Sequence, residues 1–450
     1  MRYQEALRYL FALGRELASP RQARAQKFDL RNISALAERM GHLERRCPCI
    51  HIAGTNGKGS TAAMIESILR SAGLRTGLYT SPHLESINER ICVGGEPISD
   101  EQFAECFERV LAAAETLMAS GELAAHPTFF ECLTAMAFDA FARCGAEFAV
   151  YETGMGGRLD ATNIVTPEVS VITQIDFDHE AYLGHSIEEI AGEKAGIVKA
   201  NGIVVCAAER PEARAVIARR CLELNARLVE VDEVWRVEEI DCDSRGEHLT
   251  AEWRADGSRL RLDVPLVGRF QIRNALTAGA AILLMRKRHI AIDAHAIERG
   301  IAGVQWPGRL ERVSEQPVVY LDGAHNPAAA RELRAFWDDQ LAGRRIILIY
   351  GAMRDKAVDE IAGVLFPRAE HVILTQPRQS RALSVDVLSQ VAGYHAAKSE
   401  SIADASRAIE RARQLAGSDG VVFITGSLYL VGEARAQFCS KTPTFHTAAP

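Results

Sequence analysis

"CPCIHIAGTNGKGSTAAMIESILRSAG", residues 47 to 73, is the stretch whose reading decides the fold. An apolar run over 47–54 ends in glycine, and a helix-forming run over 60–73 closes on Gly73. Between them Gly54, Gly57, Lys58 and Gly59 crowd into one loop. The familiar phosphate loop is spaced G-x-x-x-x-G-K-[ST]; here the glycines sit closer together and Ser60 is displaced by one position from Lys58. A glycine-rich loop between strand and helix suits an anion, because the helix start presents unpaired backbone N–H groups and the positive end of its dipole. Lys58 is expected to lie across the β- and γ-phosphates as a point charge. The glycines let backbone approach the phosphates, and Ser60 is placed to hold Mg2+ or phosphate.

Reading outward, strands and helices alternate. "LRTGLYT" (74–80), "AEFAVYETG" (146–154) and "EVSVITQID" (168–176) read as strands, with "DEQFAECFERVLAAAETLM" and "TFFECLTAMAFDAFARCG" as helices. Such interleaving implies a mostly parallel, doubly wound sheet. Residues 227–264 change character, and "EHLTAEWRA" and "SRLRLDVP" suggest a small antiparallel sheet before the long helix "RFQIRNALTAGAAILLMRKR". The Pro-Gly pair in "VQWPGRLERV" (304–313) marks a loop, and a second strand-helix series follows through "PVVYLDGAHNP", "RRIILIYGAM", "HVILTQP" and "GVVFITGS". The expected fold class is α/β: an N-terminal P-loop ATPase-type domain over 1–305 with a mostly parallel doubly wound sheet plus the small antiparallel sheet, a smaller Rossmann-like domain over 306–438, and a flexible tail over 439–450.

Composition narrows the partners. The 450 residues are 48% hydrophobic and 25% charged, as in ordinary globular proteins, and a chain this long accommodates two or three domains. A formal net charge of −7 argues against a protein whose task is to neutralise nucleic-acid phosphates. The opening "MRYQEALRYLFALGREL" reads as an amphipathic helix in place of a secretory signal, and no apolar run reaches the roughly 20 residues that span a bilayer. A cytoplasmic monomer without membrane or nucleic-acid partner is expected. The ten cysteines include no C-x-x-C pair, which favours reduced core thiols over a zinc site.

Other polar clusters fall at strand ends, where open α/β sheets bind ligands. "TSPHLESINERI" (80–91) gathers Ser81, His83, Asn88, Glu89 and Arg90; "YETGMGGRLDATN" (151–163) sets Glu152 before a glycine-rich turn with Arg158, Asp160 and Asn163; "QIDFDHEAYLG" (174–184) carries Asp176, Asp178 and His179. A hydroxyl, a carboxylate and an imidazole beside a phosphate loop suit a second divalent cation. Arg158 and Asn163 are candidates for substrate binding. From composition alone, Lys194 in "GEKAGIVK" reads as a solvated surface lysine. In the second half, "YLDGAHNP" (320–327) repeats the strand-then-polar-loop pattern with Asp322, His325 and Asn326, and Arg309 in "PGRLE" stands where it could reach a nucleotide.

The series "AGTNGKGS", "SPHL", "NERI", "ETGMGGRLDATN", "DH", "EKAGI", "PGRLE", "DGAHNP" and "GSLYLVGE", in order over nearly the whole chain, resembles the folylpolyglutamate synthase and dihydrofolate synthase family of the Mur ligase superfamily. The resemblance implies an ATP- and Mg2+-dependent ligase joining L-glutamate to a reduced folate or dihydropteroate through an acyl phosphate. It implies Asn56, Gly57, Lys58, Gly59 and Ser60 on ATP, joined by Asn274, Arg309 and Asp322. Ser81, Glu152 and His179 match magnesium ligands, with Ser60 beside them. Lys194 matches a lysine that the family carries as a carbamate, which would make it a further ligand. His325, Ser427 and Tyr429 match residues linked to catalysis and glutamate handling, and Lys58, Lys194, Asp322 and His325 form the implied catalytic set. The chain departs from the family at Gln174 and Asp176, where many members carry Asn and Gly. Alternatives are another Mur-superfamily amide ligase, though only about 50 residues precede the loop, or a non-ligase P-loop switch, for which no N-K-x-D guanine motif is present.

Overall fold

The computed structural model describes residues 1–13, 29–243, 246–285 and 292–439. The segment 440–450, most of the expected flexible tail, lies outside them, as do the last residues of the long helix read at 269–288. The described chain forms two compact units. The first holds Met1–His83, Ile87–Pro265 and Arg269–Gln305; the second holds Leu84–Ser86, Leu266–Gly268 and the chain from Trp306 onward.

The first unit is built on strands β1 (Cys49–Ala53), β2 (Thr76–Tyr79), β3 (Ile91–Val93), β4 (Glu96–Pro97), β5 (Phe148–Glu152), β6 (Val169–Ile172), β7 (Ile203–Cys206) and β8 (Arg227–Glu230) in the order β4-β3-β2-β5-β1-β6-β7-β8. All pairings from β2 to β8 are parallel; β3 and β4 are added antiparallel at one edge. β1 is central and wholly buried, so its exit loop opens at the middle of the sheet's C-terminal edge. Ser99 and Thr128 start the two long helices Asp100–Ala119 and Phe129–Arg143 with capping boxes completed by Gln102 and Glu131.

The small antiparallel sheet is present as β9 (Trp235–Asp243), β10 (Gly246–Trp253) and β11 (Ser258–Val264), ordered β11-β10-β9. Its extent differs from the sequence reading, which began it at 227. Arg227–Glu230 instead joins the large parallel sheet beside β7, because Ile203–Cys206 presents a free edge with matching register. Helix Phe270–Met285 is buried almost throughout and packs on helix Lys58–Ser71. Helix Ala294–Ala302 packs there too, at Gly300, where any Cβ would strike the Ile68 backbone.

The second unit has β12 (Glu311–Glu315), β13 (Val318–Leu321), β14 (Ile346–Tyr350), β15 (His371–Leu374), β16 (Ser399–Ser401) and β17 (Val421–Thr425), in the order β12-β13-β17-β14-β15-β16. Only β12 runs antiparallel. Phe423 anchors one face of this sheet, with the Tyr320 ring stacked at 5.0 Å and the fully buried Trp337 also at 5.0 Å. Among the described residues no helix is long and apolar enough to cross a membrane.

Candidate active site

The loop after β1 is held open. Gly57 stands at the N-cap of helix Lys58–Ser71 with φ +82°, and no side chain caps that helix. A Cβ at Gly57 would run into the Asn274 amide, so both its conformation and its contact demand glycine. The first-turn N–H groups therefore keep their capacity for an anion. Ser60 is buried in that first turn. Asn274 approaches from helix Phe270–Met285: its Oδ1 accepts from Thr61 Oγ1 at 3.5 Å, and its Nδ2 donates to Gln271 Oε1 at 2.9 Å.

Two ammonium groups meet on one carbonyl at this loop. Lys58 Nζ donates to Gly54 O at 3.0 Å and to Thr55 O at 3.1 Å, while Lys194 Nζ donates to Gly54 O at 2.7 Å. Lys194 ends helix Ile187–Lys194 and is only 3% exposed, so the surface reading from composition is corrected. Burial first, and then the charge of Lys58, pushes its amine down to about 7; Asp178 and Asp160 oppose that shift. Burial thus favours the neutral amine, the form that attacks CO2.

Glu152 ends β5, is 4% exposed, and accepts the Ser81 N–H at 3.1 Å, which joins the exits of β2 and β5. The turn beyond is shaped by Asp160. Its Oδ2 accepts the N–H groups of Gly154 and Met155 at 2.9 and 3.2 Å, and its Oδ1 accepts from Thr162 N and Oγ1 at 3.0 and 2.5 Å. Burial raises the Asp160 carboxyl, opposed by those same hydrogen bonds. Thr162 Oγ1 also lies 2.8 Å from His51 Nε2, and burial pushes that imidazole down to about 3, so it is neutral. With the Thr162 hydroxyl directed at Asp160, His51 is the Nε2–H tautomer that donates to it.

The other first-unit candidates divide. His179 adopts a left-handed backbone at φ +52° and follows Asp178, whose Oδ1 accepts its N–H at 2.9 Å. Arg158 is paired with Glu193 at 2.7 Å. Asn163 is buried with its amide committed: Nδ2 donates to Arg158 O and Gly196 O at 3.0 and 3.1 Å, and Oδ1 accepts Lys199 Nζ at 2.8 Å. Asn163 thus holds the glycine-rich turn against the chain after Lys194. The Arg90 guanidinium is buried, donating to His83 Nδ1 at 2.9 Å and lying 5.6 and 5.8 Å from the Phe129 and Phe130 ring centroids.

Arg309, Asp322, His325, Ser427 and Tyr429 belong to the second unit. Asp322 follows β13; its Oδ2 accepts Leu310 N and its Oδ1 accepts Ala324 N, both at 2.9 Å. Burial raises its carboxyl, and the nearby Arg309 charge works the other way. His325 Nδ1 lies 2.7 Å from Gly323 O, which makes Nδ1 the protonated nitrogen. Ser427 caps helix Leu428–Phe438 by accepting Tyr429 N at 3.2 Å.

Sequence reasoning missed the frame around the phosphate loop. Thr55 Oγ1 donates to Asp176 O at 2.9 Å and accepts Asp176 N at 3.1 Å, and Thr173 Oγ1 donates to Asn56 O at 2.8 Å. The signal was present only as threonines at the ends of two strands that prove to be neighbours.

Comparison with known proteins then decides the family. The Mur ligase middle domain matches residues 52–282, and the Mur ligase glutamate ligase domain matches residues 308–428. A dihydrofolate synthase/folylpolyglutamate synthase of Bacillus subtilis is 37% identical over 414 residues, covering 90% of this chain and 94% of the relative. The chain belongs to the folylpolyglutamate synthase and dihydrofolate synthase family. Solved structures agree. A Mycobacterium tuberculosis folylpolyglutamate synthase complexed with ADP and AMPPCP aligns with a TM-score of 0.87 at 34% identity, covering 93% of this chain and 97% of that one. Escherichia coli FolC in complex with DHPP and ADP aligns with a TM-score of 0.84 at 29% identity, covering 97% of both chains. As a member of this family the protein is an ATP-dependent ligase, and the open helix start after β1 is the feature of its own geometry that such chemistry requires.

Proposed function

We propose that this protein joins L-glutamate to the carboxylate of a reduced folate and of dihydropteroate, using ATP and Mg2+, as a cytoplasmic monomer with no nucleic-acid or membrane partner. The observation that carries the reading is the convergence of Lys58 and Lys194 on Gly54 O beside an uncapped helix start. The bifunctional assignment draws support from the double name of the Bacillus subtilis relative and from the ligands named for the Escherichia coli structure.

A carboxylate is a poor electrophile. Transfer of the γ-phosphoryl group to the folate carboxylate gives an acyl phosphate and ADP, and attack by the glutamate amine then forms the amide and releases phosphate. Charge moves among phosphate oxygens in both steps. Lys58 and the N–H groups of the Gly57–Ser60 turn are fixed before the reaction, so little reorganisation is needed as that charge shifts. Arg309 is assigned to the same phosphate charge. His325 is assigned to taking the proton lost by the attacking amine, an imidazole being a base of suitable strength near neutral pH. Ser427 and Tyr429 are assigned to glutamate, and Arg158 and Asn163 to placing the turn beside the pterin-bearing substrate.

The residues fit a magnesium ion. Among the described residues no three His, Cys, Asp or Glu side chains form a ready cage, but Mg2+ in nucleotide sites keeps waters and phosphate oxygens and needs only one or two protein carboxylates. Glu152, Ser60, Ser81, His179 and a carbamylated Lys194 would hold it, and when bound it would neutralise phosphate charge. The test is ATP-dependent incorporation of labelled L-glutamate with dihydropteroate and with tetrahydrofolate in turn. Incorporation with both is expected. Turnover with one alone overturns bifunctionality, and turnover with neither overturns the substrate assignment.

A further inference from the structure

The turn at 207–210, which leaves β7, grips three parts of the first unit. Ala207 N donates to Ile172 O at 2.8 Å, and Ala207 O accepts Arg273 Nε at 2.8 Å. Glu209 Oε2 accepts Gln174 Nε2 at 3.3 Å, and Arg210 Nη2 donates to Asp176 Oδ1 at 2.9 Å with its guanidinium 5.5 Å from the Phe177 ring centroid. Three of these contacts, those to Gln174, Asp176 and Arg273, lead on to the phosphate loop. Gln174 O accepts Thr55 N at 2.7 Å, Gln174 Oε1 accepts Asn56 Nδ2 at 3.3 Å, and the Asp176 backbone exchanges two hydrogen bonds with Thr55 Oγ1. Arg273 is held bidentate by Asp232 at 2.7 and 2.9 Å, and its chain neighbour Asn274 faces Gly57.

We propose that the 207–210 turn is a clamp that sets the phosphate loop and the Asn274 helix in register for nucleotide, with Gln174, Asp176, Arg210 and Arg273 as its positioning residues. A loop of glycines has no intrinsic reason to hold one geometry, and anion recognition by backbone N–H groups tolerates little displacement. The clamp supplies the constraint from side chains that need not touch the anion. Gln174 spans from Asn56 in the loop to Glu209 in the turn, and the Asp176 side chain is what Arg210 pairs with.

The proposal rests on nucleotide occupying the loop, and its test separates the two. ADP affinity is measured by calorimetry, and ATP kinetics and melting midpoint are measured alongside, for Asp176→Asn, Arg210→Gln, the double variant and Arg210→Lys. Each single variant is expected to weaken ADP binding and raise KM for ATP by roughly tenfold while kcat stays within about twofold. The double variant should fall well short of the product of the two singles, because the Asp176–Arg210 ion pair is lost in all three, and Arg210→Lys should recover part of the affinity. Gln174→Ala, expected to weaken ADP by about threefold, carries the same test if the ion-pair variants do not fold. Unchanged ADP affinity in folded variants, or effects of the two singles that multiply, overturns the clamp alone. Wild-type protein that binds neither ADP nor ATP overturns the functional reading and the clamp together.

Discussion

The exits of β1 and β13 occupy equivalent places, each a buried strand leading through a short polar loop into a helix, yet the two helix starts are treated oppositely. After β1 the N-cap is Gly57 at φ +82°, with no side-chain cap. After β13 the N-cap is Asn326 at φ −137°, whose side chain accepts Ala329 N at 2.9 Å, and Pro327 removes another N–H from the first turn. Lysines crowd the first loop, whereas a carboxylate, Asp322, accepts two backbone N–H groups in the second. An open, cation-lined start invites phosphate; a closed start beside a buried carboxylate repels it. The first exit thus leaves backbone N–H groups available, and the second has its first turn served by its own side chains.

The largest effect expected from that difference is at Lys58. Lys58→Ala should lower kcat by about a thousandfold or more, because it removes a preorganised charge from the phosphates, while the melting midpoint stays near that of the parent. Near-parental turnover in the phosphate-release assay would break the comparison at its first term. Lys194→Ala should be nearly inactive as well. A carbamate forms from the neutral amine, and burial with the Lys58 charge holds this amine down to about 7. The carbonyl signal from ¹³C-bicarbonate should therefore grow as pH rises through about 7, and be absent from the variant. The sign for stability is the same. The folded amine loses its proton below the unfolded value of roughly 10.4, so this group adds stability as pH climbs from about 7 toward that value. A carbonyl signal that falls over that range would remove Lys194 from the set. Smaller again, Glu152→Gln and His179→Ala should raise the magnesium requirement more than KM for ATP. An unshifted magnesium titration in both would return these residues to a structural role.

The phosphate loop was legible because glycine, lysine and hydroxyl spacing is a local property of the chain, readable where strand gives way to helix. Edge elements were not. Ile91–Val93 and Glu96–Pro97 form a short antiparallel pair inside and just beyond a stretch that reads as polar loop, since such short strands carry no periodicity. Arg227–Glu230 has mixed exposure along its length, and only its pairing with β7 assigns it to the large sheet. Lys194 was legible by resemblance alone, because its burial depends on Gly54 being folded against it. The turn at 207–210 was illegible for a related reason. Glu209 and Arg210 read as ordinary surface charges until the exits of β6 and β7 are brought side by side.

The last and smallest effect tests the closed member of the pair. Asn326→Ala removes the oxygen that accepts Ala329 N, while Pro327 still presets the backbone of the first helical turn. Loss of an N-cap costs about 0.5–2 kcal/mol. The lower half of that range is expected here, because the proline has already replaced one of the N–H groups that a cap would serve. Urea unfolding followed by a probe in the second unit should show a midpoint shift of that size with an unchanged slope. ADP affinity, set by the open start after Gly57, should not move. A variant that keeps its midpoint would mean that the Asn326 cap is energetically silent, so that proline alone closes this helix. A variant that binds ADP more weakly would mean that the two helix starts are coupled, and the contrast between an open and a closed exit would then describe one site and not two.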